Sequence, residues 1–166
     1  MESFLAARGR TLIGWVEVLA AAAHGDARTV PAPQTAIMRW RDYAPEPPGL
    51  YDRPVVQTPF SALYLDYYRF ALSRAYGYEP VPDHLTPGQR ANVLGVQANM
   101  WTGYAPQRSE QRVDQYAFPK LAALAEVAWS DPQRRDFADF LDRYSGFEER
   151  LVALGVETTA CEECIP

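Results

Sequence analysis

The residues best placed to do chemistry are three tryptophans, Trp15, Trp40 and Trp101, each of which follows a short apolar run. Thr11-Leu12-Ile13-Gly14 precedes the first, Thr35 to Arg39 the second, and Val93 to Val96 lies shortly before the third. An aromatic where a strand ends can stack on a sugar, a base or a Pro-rich peptide, or it can simply fill a core. For any one of them core packing is the default; three at successive strand ends call for more. Charged and polar groups lie close by: Glu17, Arg39 and Arg41, the pair Tyr64-x-Asp66, and Gln97 with Asn99. Read alone, Tyr64-x-Asp66 is a solvated loop, and Gln97 and Asn99 are buried amides that satisfy neighbouring backbone. Glu17 reads as a structural carboxylate with an Arg or backbone partner. Arg39 and Arg41 read as surface or packing groups, although either could pair with a carboxylate.

Other chemistry finds little support. Cys161-x-x-Cys164 is a lone pair in the tail, and a zinc site of this kind needs a second pair of ligands. His24 and His84 are both far from it in sequence. No Gly-x-Gly-x-x-Gly or Gly-x-x-x-x-Gly-Lys run occurs, so a nucleotide-binding open sheet loses its main support.

The elements that must hold these residues are four short, nearly continuous apolar runs at 11–15, 35–40, 54–59 and 92–98. Runs of that kind, separated by crossovers, predict a parallel sheet buried on both faces, hence an α/β protein. Residues 3–8 read as the last turns of a helix, stopped by Gly9. Val16 to Ala23 is expected to be helical, and Tyr43 to Pro54, with four prolines, to be a loop. Residues 75–92 read as a long connection. Ser109 or Asp114 caps the next helix, whose apolar stripe is Leu121, Leu124, Ala125 and Ala128. Glu126 on that helix needs a partner if it is buried. Trp129, which ends a helix and not a strand, is assigned to packing, as are Tyr67 and Tyr68. Ser130-Asp131-Pro132 starts a helix carrying Phe137, Phe140, Leu141 and Tyr144, and a last helix spans about 146–154.

The bulk numbers bound the class. A chain of 166 residues, 48% hydrophobic and 22% charged, suits one globular domain with a core. A net charge of -5 gives no reason to expect nucleic acid or an anionic membrane as partner. No run reaches the roughly 20 apolar residues of a membrane span, and the acidic start Met1-Glu2-Ser3 does not read as a leader. Polar and aromatic residues at strand C-terminal ends are where a (β/α)8 barrel builds its active site. Such a barrel needs eight strands and about 250 residues, so four strands read as half of one.

Five segments carry a family likeness. They are Gly14-Trp15-x-Glu17; Met38-Arg39-Trp40-Arg41; Val55-Val56-x-x-Pro59 with Tyr64-Leu65-Asp66; Leu94 to Thr102; and Phe118-Pro119-Lys120 to Ser130. In this order and spacing the chain resembles the C-terminal half of the catalytic barrel of glycoside hydrolase family 20, the β-N-acetylhexosaminidases. The resemblance implies the fifth to eighth βα units plus C-terminal helices over residues 1–157; residues 158–166 depart from the family and read as a flexible tail. It implies hydrolysis of terminal β-linked N-acetylglucosamine or N-acetylgalactosamine with retention. In this family the substrate's own acetamido oxygen attacks the anomeric carbon, outside the usual two-carboxylate scheme.

Under the resemblance Trp15, Trp40 and Trp101 are pocket walls, flat and rigid enough for an acetamido methyl and an apolar sugar face. Tyr64 aligns the acetamido group, and Asp66 binds sugar hydroxyls. The adjacent Asp-Glu pair that supplies the acid is not in this sequence, so the chain alone is expected to be inactive. Gly103 stands where the family has a glutamate that binds a sugar hydroxyl. The implied partners are an amino-sugar glycan and a second chain that completes the barrel, and no metal or organic cofactor is implied. Family members are commonly exported, periplasmic or lysosomal. A non-catalytic remnant that binds sugar or pairs with another chain is the alternative.

Overall fold

The computed structural model describes residues 1–19, 31–66, 71–101, 103 and 109–158. Helix α1 (Glu2–Ala6) leads through Gly9, at φ 64°, into strand β1 (Ile13–Trp15). Strands β2 (Ala36–Arg39), β3 (Val55–Gln57) and β4 (Val93–Val96) follow, with helices α2 (Phe60–Leu63), α3 (Leu72–Tyr76) and α4 (Pro87–Arg90) between the last two. Then come α5 (Glu110–Ala117), α6 (Lys120–Trp129) and α7 (Phe137–Ala153). The chain divides into two compact units, Met1–Ser61 with Pro80–Gln97, and Ala62–Glu79 with Ala98–Pro166.

The first unit holds the sheet, whose strands lie in the order β1-β2-β3-β4 and are all parallel. Gly14, Ile37, Val55 and Val93 form one cross-strand row, and Trp15, Met38, Val56 and Gly95 form the next. Because side chains alternate along a strand, the two rows face opposite sides. From the first row Ile37 and Val55, both fully buried, join a core with Val16, Leu19, Leu50, Tyr51 and Leu85, and Val93 packs against it. The pairing slips between Val55 and Val56, so β4 carries one extra residue there, and Gly95 takes up the irregularity at φ 146°. At the start of the unit the Glu2 carboxylate accepts from the Ala32 amide and from the Thr35 hydroxyl, anchoring α1 to the approach to β2.

The second unit packs α3, α6 and α7 around Leu72, Ala75, Tyr76, Ala123, Phe140 and Tyr144. Buried Tyr76 donates its hydroxyl to Glu126 at 2.7 Å, and Arg143 pairs with the other Glu126 oxygen at 2.7 Å. The partner that Glu126 needed is therefore a shared one, drawn from α3 and α7.

Several expectations are corrected. The buried stripe of α6 is Lys120, Ala123, Leu124 and Val127, the expected spacing but led by lysine, while Ala125 and Ala128 are exposed. Lys120 lies inside with its ammonium 6.0 Å from the Tyr116 ring. Trp129 is 90% exposed and packs no core. The last two expected helices are one 17-residue helix through Gly146, because the Phe140, Tyr144 and Leu151 face stays buried along its length. The connection at 75–92 contains α4, started by a Thr86/Gln89 capping box. Ser109, not Asp114, caps α5, and Asp131-Pro132 opens only a short 3-10 turn. Thr158, expected in the tail, is buried; Cys161, Cys164, His24, Tyr67 and Tyr68 lie outside the described residues, as does the helix expected beyond Leu19.

Burial, and then the Glu126 carboxylate, push the Tyr76 phenol up to about 12 from its ordinary 10. A raised folded-state value means that this contribution to stability is complete below pH 10 and is lost as the pH rises toward 12. Tyr76→Phe should cost roughly 1–2 kcal/mol in urea denaturation at neutral pH. It should also remove one phase above the ordinary phenol range from a spectrophotometric tyrosine titration.

Candidate functional site

In the first unit the strand ends gather a polar cluster around Trp40. Trp15 and Met38 are directly paired across β1 and β2. Glu17 lies just past β1, where the backbone has turned out of the strand, and Trp40 directly follows β2, so the paired strand ends bring the two close. The Trp40 indole N–H donates to both Glu17 oxygens, at 2.8 and 3.0 Å. Arg41 pairs with Glu17 at 2.8 Å, and its guanidinium carbon lies 5.0 Å from the centre of the Trp40 ring. Tyr43 and Phe60 meet Trp40 edge-on, at centroid distances of 6.0 and 6.1 Å. Asp42 accepts from the Ser61 amide and hydroxyl, holding the turn after β2 against the start of α2.

A second carboxylate organises the loop after β2. Glu46 pairs with Arg39 at 3.2 Å, accepts from the Tyr51 hydroxyl at 3.2 Å, and meets His84 at 3.1 Å. Tyr51 in turn accepts from buried Gln57 at 3.1 Å. Burial raises the Tyr51 phenol above its ordinary range, so it serves this chain as a neutral hydroxyl. Val16, Glu17, Arg39, Arg41, Ala44, Pro45 and Pro47 line a cavity of about 160 Å³. That is below the roughly 300–1,000 Å³ of a typical small-molecule site, and it is room for a polar group or a few waters. Both arginines are thus paired with carboxylates, where a surface or packing role was expected. The Arg partner expected for Glu17 is Arg41.

In the second unit Tyr64 bridges to Asn99 in parallel fashion, and the Leu65 amide donates to the Asn99 carbonyl at 2.9 Å. The Asn99 amide donates to the Leu63 carbonyl at 2.8 Å. This ladder holds Tyr64 stacked against Trp101, with centroids 6.5 Å apart and planes 27° apart. Trp101 is 41% exposed, whereas Tyr64 and Asp66 are both buried, unlike a solvated loop. Asn99 is buried as expected; Gln97, in the first unit, is exposed and uses its backbone amide to pair with the Gln57 carbonyl. Gly103 is exposed, and a Cβ added there would meet nothing within 4 Å.

The site residues named from sequence therefore fall into two groups, Trp15 and Trp40 in the first unit and Tyr64, Asp66 and Trp101 in the second. Tyr43 and Phe60, the aromatic neighbours of Trp40, were not named; Tyr43 follows Trp40 by three residues, which is the only signal that could have found it. Among the described residues no group of three or more His, Cys, Asp or Glu gathers to hold a metal ion, and no helix is long and apolar enough to cross a membrane.

Comparison with known proteins adds an independent line. Residues 1–132 match the glycosyl hydrolase family 20 catalytic domain. The chain is 33% identical, over 93% of its length, to a beta-hexosaminidase of Porphyromonas gingivalis, of which it covers 21%. It is 31% identical, over 81% of its length, to a beta-N-acetylhexosaminidase of Cellulomonas fimi, of which it covers 28%. Among solved structures it is similar to a family 20 exo-beta-N-acetylglucosaminidase of Vibrio harveyi in complex with N-acetylglucosamine. That likeness has a TM-score of 0.75 and 27% identity, and covers 95% of this chain and 26% of that one. The chain thus spans about a fifth to a quarter of these relatives' length. Its parallel sheet is part of a (β/α)8 barrel, and with the motifs in family order this chain belongs to glycoside hydrolase family 20.

Proposed function

We propose that residues 1–157 are the C-terminal half of a β-N-acetylhexosaminidase barrel and supply its acetamido-sugar contacts without its acid. The single observation that carries this reading is the match over residues 1–132 to the family's catalytic domain. The residues proposed to touch substrate are Trp15, Trp40, Asp66 and Trp101, with Tyr64 as the group that aligns the acetamido oxygen.

The proposed chemistry asks two different things of the protein. The substrate's acetamido oxygen must be held against the anomeric carbon, so that an oxazolinium-type intermediate forms with retention. Rigid aromatic surfaces and a phenol hydroxyl suit that task, since they hold a group in position. The leaving oxygen must also gain a proton, which takes a carboxylic acid poised near the operating pH. The sequence has no adjacent Asp-Glu pair to provide one. The expected substrate class is a terminal β-linked N-acetylglucosamine or N-acetylgalactosamine.

A second reading, a remnant or one chain of a two-chain enzyme, is favoured by the two outer strands. Ile13 on β1 is 59% exposed and Leu94 on β4 is 63% exposed. Each of these strands has one unpaired edge in the described sheet, and an open edge is a template for another strand. Under this reading a partner with its own Asp-Glu strand would restore activity.

Two outcomes are expected. The purified chain should not turn over a chromogenic β-N-acetylglucosaminide; turnover comparable to that of an intact family enzyme would sink the proposal. Gly103→Glu should tighten N-acetylglucosamine binding about tenfold in calorimetry, the worth of one charge-assisted hydrogen bond, because the added side chain enters open space. No gain would show that this position does not face the sugar.

A further inference from the structure

We infer that Glu17 is a positioning residue that fixes the plane of the Trp40 indole and so the wall this ring offers to an N-acetyl sugar. The inference rests on the reading of Trp40 as a sugar contact, and it adds to the ion pair of Glu17 with Arg41 a second role for the same carboxylate.

An indole has a broad χ2 well, so packing alone leaves its plane loosely set. Trp40 is half-buried, and its aromatic neighbours Tyr43 and Phe60 meet it edge-on, which bounds the ring without orienting its N–H. The orientation comes from Glu17, whose two oxygens both accept from Nε1, at 2.8 and 3.0 Å. One N–H shared between two charged acceptors points the ring at the carboxylate and resists a flip. Arg41 then restrains the carboxylate at 2.8 Å while its own guanidinium lies over the same ring.

The alternative is that Glu17 is only half of a surface ion pair. The Glu17 and Arg41 side chains are 37% and 44% exposed, and pairs so exposed contribute little by themselves. The short indole bonds are the part of the cluster with directional strength. Pairing of Trp15 with Met38 sets the ends of β1 and β2 side by side, and Glu17 reaches the Trp40 indole from the turn that follows β1.

The test compares the full chain with Glu17→Ala, Glu17→Gln and Arg41→Ala, reading the tryptophan Nε1–H signals by ¹H–¹⁵N NMR and N-acetylglucosamine affinity by titration. Trp40 is assigned with Trp40→Phe. Glu17→Ala should move the Trp40 indole signal, speed its hydrogen exchange, leave the Trp15 and Trp101 signals in place and weaken the sugar about tenfold. Glu17→Gln, which keeps an acceptor oxygen, should rescue most of both effects, and Arg41→Ala should leave the indole signal near its wild-type position. An unchanged Trp40 signal in Glu17→Ala, or Arg41→Ala matching Glu17→Ala in both readouts, overturns the inference. A moved signal with unchanged affinity also overturns it. If the wild-type chain does not bind the sugar while the indole signal moves as expected, the sugar reading of Trp40 fails and the positioning of its ring stands.

Discussion

Four strands that all run the same way cannot be joined by tight turns, and most of what this chain offers follows from that constraint. Each strand must hand over to a crossover at the same edge of the sheet, so the residues just past β1, β2, β3 and β4 collect there. The hydrogen-bond ladder also sets their spacing. Trp15 opposite Met38 sets the chain just past β1 beside Trp40, where Glu17 meets the indole, and Arg39, opposite Gln57, pairs with Glu46. A slip of one residue between β1 and β2 would turn the β1 side chains to the opposite face of the sheet and would separate the Glu17 carboxylate from the indole it holds.

The sheet was legible because its runs are nearly continuous in apolar residues, but the expected burial on both faces fails at the outer strands, where Ile13 and Leu94 are exposed. The family likeness rested on residues whose spacing survives in the described strand ends, Trp15, Trp40 and the Tyr64–Trp101 pair. What escaped was whatever depended on a partner far away in sequence. Nothing near Lys120 announces that its stem lies inside, so the stripe of α6 was read one step out of place. Trp129 looked like packing because indole usually packs, yet it stands in the open. Gly146 looked like a break, but one glycine in a helix costs only about 1 kcal/mol, which the continuous buried face of α7 outweighs. The Thr86-Pro87-Gly88-Gln89 capping box was readable in principle and was hidden by its Pro and Gly.

The two units divide the polar work differently. In the first, carboxylates act as hubs: Glu17 gathers Trp40 and Arg41, and Glu46 gathers Arg39, Tyr51 and His84. In the second, backbone pairing between the 63–65 and 99 segments sets Tyr64 against Trp101. Both set aromatic rings beside hydrogen-bonded polar groups.

The central claim, that the strand-end tryptophans bind an N-acetyl sugar, is tested most directly by hydroxyl-radical footprinting of the chain with and without N-acetylglucosamine. Peptides carrying each tryptophan are quantified by mass spectrometry, and fully exposed Trp129 serves as the internal reference. The account predicts that saturating sugar slows oxidation of Trp15, Trp40 and Trp101 and leaves Trp129 at its original rate. Equal rates at all four tryptophans, or protection of Trp129 alone, would contradict it.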